Sequence, residues 1–121
     1  MKFNLACLAA ILAVPTATAC NLDLKWVSNW AEAGYHRYRV QLITTPRNDD
    51  DLGVFCEALG RELGQVAWVP NVQCHWNDDG SFVADASFYE GSGGYGDYRH
   101  TFYAAADDYR AARGCTTGID I

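Results

Sequence analysis

The chain lacks most of the features that announce a chemistry. It has no excess of positive charge: nine Lys and Arg against fifteen Asp and Glu give a formal charge of -6 and a pI near 4.8. Such a balance repels phosphate backbones and anionic membrane surfaces, so a basic nucleic-acid binder is excluded. No Asn-x-Ser/Thr sequon occurs, and N-glycosylation is not expected. A Gly-x-Ser-x-Gly elbow, a Walker Lys-Ser/Thr and a dinucleotide fingerprint are all missing, which removes the commonest serine-hydrolase and nucleotide-binding signatures. Close Cys pairs are missing too: Cys20, Cys56, Cys74 and Cys115 are spaced by 36, 18 and 41 residues, unlike a four-cysteine zinc site. The run Asp49-Asp50-Asp51 lacks the alternation, Gly and distal Glu of a calcium loop. The longest apolar run has ten residues, 5–14, about half of the roughly 20 needed to cross a bilayer. There is no repeat and no low-complexity tract.

What is present fits one packed domain. A length of 121 residues and 13.3 kDa leaves no room for two, and 50% hydrophobic with 20% charged residues describes a globule. The first nineteen residues read as a secretory signal: Lys2 supplies the positive region, 5–14 the apolar run, Pro15 a break and Ala17-Thr18-Ala19 a small-x-small cleavage site. Residues 1–19 are expected to be removed, leaving a secreted, extracellular domain over 20–121. Of five cysteines Cys7 departs with the signal, and the even number left in an oxidising compartment predicts two disulfides.

Periodicity divides the mature chain. Tyr38, Val40, Leu42 and Thr44 alternate with Arg37, Arg39, Gln41 and Ile43 in a strand over 36–45 ended by Pro46. Asn48 or Asp49 can cap a helix in which Leu52, Phe55, Cys56, Leu59 and Leu63 recur at helical spacing, with Asp50 and Asp51 at its positive end and Gly64 as its stop. A hairpin follows over 71–77 and 81–89. Parity decides its turn: only a three-residue Asp78-Asp79-Gly80 loop sets Trp76 opposite Phe82 and keeps both apolar sets on one face, with Gly80 left-handed. Residues 91–96 read as a flexible glycine-rich loop, Asp97 as the cap of a second helix ended by Gly114, and 115–121 as a last strand.

The order strand, helix, strand, strand, helix, strand is that of an α+β, ferredoxin-like βαββαβ sandwich. It predicts a four-stranded antiparallel sheet in the order 4-1-3-2 with both helices on one face. In that arrangement Cys56 on the sheet-facing stripe of the first helix meets Cys74 on the helix-facing side of the second strand. Cys20 and Cys115 then join the mature N-terminus to the last strand. Residues 21–35 form an N-terminal extension that periodicity cannot assign: Leu22, Leu24 and Trp26 alternate like a strand, while Trp26, Val27, Trp30 and Ala31 are spaced like a helical turn.

Signal, size, two disulfides and element order resemble the killer-toxin-like small secreted effectors of plant-associated fungi, whose fold is that of the smut-virus killer toxin, killer protein six. The resemblance covers nearly all of the chain after Gly34. It implies a virulence or toxin-like role outside the producing cell, against a host or a competing microbe; binding rather than catalysis is expected because no convergent acid, base and nucleophile set can be placed. It carries over no functional residue.

From the residues themselves, Trp26, Trp30, Tyr35, Arg37, Arg39 and Tyr89 form the candidate binding surface. The two tryptophans either lie across the outer sheet face, the preferred reading, or form with Tyr35 an exposed patch for a partner or a sugar ring. Arg37 or Arg39 is expected to pair with Asp85 on that face. The expected partner is a host or microbial protein or glycan, met by a monomer or weak dimer, with no nucleic acid, membrane span, metal or cofactor. The alternative is a small secreted ribonuclease-like enzyme, for which His36, His75, Glu90, Arg99 and His100 supply the residue types.

Overall fold

The computed structural model describes residues 19–66 and 72–121. The signal-peptide expectation, Cys7 and Asn71 lie outside the described residues. The elements are β1 (Asn21–Glu32), β2 (Tyr35–Thr45), α1 (Asp49–Val66), β3 (Gln73–Trp76), β4 (Phe82–Tyr89), α2 (Ser92–Arg113) and β5 (Thr116–Asp120). The fold is α+β, with two helices, a five-stranded mixed sheet in the order β3-β4-β2-β1-β5 and two disulfides.

The expected four-stranded antiparallel sheet is corrected at one point. Removing β1 from the observed order leaves the last, first, third and second of the expected strands as neighbours in turn; the segment 21–35 has entered between the last and the first. There β1 runs antiparallel to β2 and parallel to β5, so the sheet is mixed. The reason is burial: Leu22 and Leu24 are fully buried, opposite Thr44 and Leu42 on the side covered by the helices. At about 1.5–3 kcal/mol for each fully buried leucine, a sheet that admits β1 is favoured over one that leaves it outside. β1 turns into β2 through Ala33 and Gly34, both at positive φ (51° and 86°), the pattern of a two-residue hairpin turn.

The hairpin β3–β4 has the register that side-chain parity demands. Trp76 stands opposite Phe82 and Cys74 opposite Ala84, and Gly80 has φ 88°. α1 starts where Asn48 Oδ1 accepts the Asp50 N–H at 3.1 Å. It runs to Val66, two residues past Gly64, which therefore does not stop it. α2 departs further from expectation, because the glycine-rich segment is its first turn rather than a flexible loop. Gly91, at φ 95°, leads into a helix that begins at Ser92 instead of at Asp97. Gly94 explains this: a Cβ there would overlap the Tyr89 carbonyl oxygen, so only glycine lets the helix begin so close to the end of β4. Gly114, at φ 68°, ends α2 as expected, donating its N–H to Arg110 O.

Between sheet and helices Leu22, Leu24, Val40, Leu42, Ala84, Ala86 and Phe88 meet Phe55, Leu59, Leu63, Tyr98, Phe102 and Tyr109. Tyr98 stacks on Tyr38 with ring centroids 3.9 Å apart, and burial raises its hydroxyl above the usual phenol range. The helices are tied at one end by buried Asp51, which accepts from the Tyr109 hydroxyl (3.2 Å) and from Arg113 Nε (2.6 Å). Burial first, and then Asp51, push the Tyr109 hydroxyl up to about 12.

Both expected disulfides form. Cys56–Cys74 joins α1 to β3 with Cα atoms 6.5 Å apart, and Cys20–Cys115 joins the residues preceding the parallel strands β1 and β5 at 4.8 Å. Two disulfides are compatible with an extracellular protein. No helix among the described residues is long and apolar enough to cross a membrane.

Candidate functional site

Both helices pack on one side of the sheet, so residues of opposite parity define the other. β2 sends Tyr35, Arg37, Arg39 and Gln41 to this outer face, and β4 sends Val83, Asp85, Ser87 and Tyr89. Arg39 donates to Asp85 through Nε and Nη2, both at 2.7 Å, the bidentate geometry that suits a guanidinium and a carboxylate. Hydrogen bonding to Asp85 raises the Arg39 pKa further above its already high value. Arg37, at 4% exposure, donates Nη1 to Ser87 Oγ at 2.8 Å, and its Nε lies 3.9 Å from Asp85. Its Nη2 is buried without a hydrogen-bond partner, which costs about 1–3 kcal/mol for an unmet donor. Two guanidinium groups therefore share one buried carboxylate at the centre of the sheet.

Aromatic side chains stand around this pair. Trp30 is the register partner of Arg37, and its ring lies under the Arg39 guanidinium, 5.3 Å from the centroid. Its Nε1 donates to Glu32 at 2.9 Å. Tyr35 and Tyr89 pair across β2 and β4 with ring centroids 5.5 Å apart, and Tyr89 is 44% exposed. Five of the six candidate surface residues, Trp30, Tyr35, Arg37, Arg39 and Tyr89, thus share one face.

Trp26 does not. It stands opposite Val40, on the helix side of the sheet, because the register shifts between Trp26 and Ser28 and changes the parity of everything after it. The preferred burial of both tryptophans also fails: Trp26 remains 49% exposed, while Trp30 is partly covered. Beyond Lys25, the last residue of β1 paired with β5, the far edge of β1 carries no strand among the described residues.

The ionisable residues of the alternative reading are spread out. His36 pairs with Phe88 on one side of β4 and His75 with Val83 on the other, an offset of five residues, or about 16 Å along the strand. Their parities also place them on opposite faces. Arg99 lies over the Tyr103 ring on α2, and His100 is exposed. Sequence reasoning missed the role of Trp76. It is 46% exposed at the end of β3, and the Arg47 guanidinium lies 5.0 Å from its ring centroid. Its alternation with Cys74 marks it as inward-facing, and only the shortness of β3 reveals that it overhangs the core.

Comparison with protein-family models, with curated proteins and with solved structures finds no match to this chain.

Proposed function

We propose that the protein is a secreted, killer-toxin-like effector that acts outside the producing cell, on a host or a competing microbe, by binding a protein or glycan without catalysis. The observation that carries this reading is the outer sheet face, where Trp30, Tyr35 and Tyr89 frame two guanidiniums that share one carboxylate. Aromatic and arginine side chains grouped in this way are the commonest anchors of recognition surfaces. The two disulfides support an extracellular setting, and the separation of His36 from His75 favours binding over acid–base chemistry.

The test compares the oxidised protein with a Tyr35→Ser/Tyr89→Ser variant of equal near-ultraviolet circular dichroism. Each is immobilised and exposed to host extracellular fluid and to extracts of competing microbes. A component retained by the wild type and lost by the variant is the expected result. Cleavage of RNA above the buffer control that disappears in His36→Gln, His75→Gln or His100→Gln overturns the reading, because a general acid or base contributes roughly 10²- to 10⁴-fold.

A further inference from the structure

A concave site lies at the other end of the sheet, where β2 enters α1 and the β3–β4 turn folds over. It is a pocket of about 260 Å³ with Leu42, Leu52 and Phe82 in its apolar lining and Trp76, Arg47, Asp49 and Ser81 among its polar and aromatic walls. Its volume is below the roughly 300–1,000 Å³ of pockets that enclose a drug-sized ligand, so it suits one small ring or part of a larger chain. Trp76 meets Phe82 edge to face, with centroids 5.1 Å apart, which fixes the indole, yet 46% of its surface remains open. Arg47 and Asp49 form a bidentate pair, Nε to Oδ1 at 3.0 Å and Nη2 to Oδ2 at 3.1 Å, with both side chains largely in solvent. The pair presents donors and acceptors side by side on movable stems.

Charge narrows the ligand. Asp49, its neighbour Asp50, and Asp79 beside the lining residue Gly80 outnumber Arg47, which opposes an anion. A cation fares no better: Arg47 already lies over the indole and engages both Asp49 oxygens, so the aromatic cation site and its counter-ion are taken. A neutral ring with an apolar face and polar edges has only to displace the exposed Arg47 guanidinium from over the indole and leaves the Arg47–Asp49 pair intact, whereas a cation would have to replace Arg47 at both. Its weakly positive C–H bonds stack on the electron-rich indole face, while its hydroxyls reach the Arg47–Asp49 pair and Ser81.

We propose that the pocket of Trp76, Arg47 and Asp49 binds one uncharged sugar ring of a polysaccharide, stacked on the indole and hydrogen-bonded at its rim. This site meets the outer sheet face at Gln41 but includes none of Trp30, Tyr35, Arg37, Arg39 and Tyr89, so its failure leaves the effector reading untouched, and the reverse also holds.

The oxidised protein is titrated with chitohexaose, laminarihexaose and cellohexaose up to about 10 mM, a range that captures dissociation constants in the millimolar range. Binding is followed by the Trp76 indole N–H and the Gly80 and Ser81 amides in nuclear magnetic resonance. At least one hexasaccharide is expected to shift these signals saturably, and Trp76→Leu, which keeps an apolar cover over Phe82 but offers no ring, is expected to weaken binding at least about tenfold. Tyr103→Ser, at an exposed aromatic outside both sites, should leave it unchanged. The proposal is overturned if no saccharide moves the Trp76 signal, if the shifts centre on Trp30 and Tyr89, or if binding survives Trp76→Leu. It is also overturned if acetyl-lysine methylamide, a cationic probe, moves the Trp76 signal more strongly than every saccharide. The wild-type map decides between these results even if a variant fails to fold.

Discussion

The two sides of the sheet are assembled by different physics. On the helix side alternate residues of β1, β2 and β4 are aliphatic or aromatic, and two helices exclude water from them. On the outer side the same strands present Arg37, Asp85 and Ser87, buried almost as deeply, at 4%, 2% and 6% exposure. The first side gains free energy from removing apolar area from water, in any arrangement that fills space. The second depends on a few directed hydrogen bonds, and each buried charge is tolerable only while its partner remains. A fold with one forgiving and one exacting side can vary its core while holding a fixed polar face.

Five changes break or sharpen that contrast. The largest effect is expected from Phe102→Ala, which empties a fully buried site in contact with Tyr98 and Phe55 and should cost about 3–5 kcal/mol in urea denaturation. Asp85→Ala, though it removes fewer atoms, should cost about 3 kcal/mol by leaving two guanidiniums unpaired. If the two sides differ as described, adding Arg37→Met and Arg39→Met to Asp85→Leu restores most of that loss, whereas no polar substitution rescues Phe102→Ala. Gly94→Ala should cost about 1–3 kcal/mol, since its Cβ must displace the Tyr89 carbonyl. Hydrogen exchange over residues 92–96 should then rise before that of the rest of α2.

The smallest effect concerns the seam between the helices. Asp108 pushes the Glu62 carboxyl above its usual value of 4.5, through a hydrogen bond first, with burial and charge repulsion adding to it. A carboxyl with a raised folded-state pKa stabilises the protein below its unfolded pKa, and that contribution is lost as pH rises through the folded value. Glu62→Gln should therefore reduce the decline in stability above pH 4.5, read from denaturation midpoints between about pH 3.5 and 6.5.

Legibility followed the strength of local constraint. The β3–β4 register was readable because a slip of one residue would turn Trp76, Cys74 and Phe82 to the wrong face, and the disulfides followed from it. β1 was not readable for a physical reason: the extra residue at its bulge puts Trp26 and Trp30 on opposite faces, so the alternation begun by Leu22 and Leu24 is broken, while the spacing of Trp26, Val27, Trp30 and Ala31 mimics a helical turn. The start of α2 was hidden because glycine propensity argues against helix, while the close approach of Gly94 to Tyr89 is a tertiary fact with no local trace. The pairing of Arg39 with Asp85 could be anticipated from parity alone, but the unmet Arg37 donor, the loss of Trp26 from the outer face and the Trp76 pocket depend on how far each strand extends.

The Cys20–Cys115 bond spans 95 residues of sequence and encloses the Cys56–Cys74 loop within it. Between residues 20 and 115 the polypeptide is thus a closed ring with a second ring inside it. A protease that cuts once in the exposed turn at Gly34 or at Gly80 opens the ring without releasing a fragment, because both new ends stay covalently joined. Release of a fragment then requires two cuts, and a molecule nicked once remains a single covalent particle.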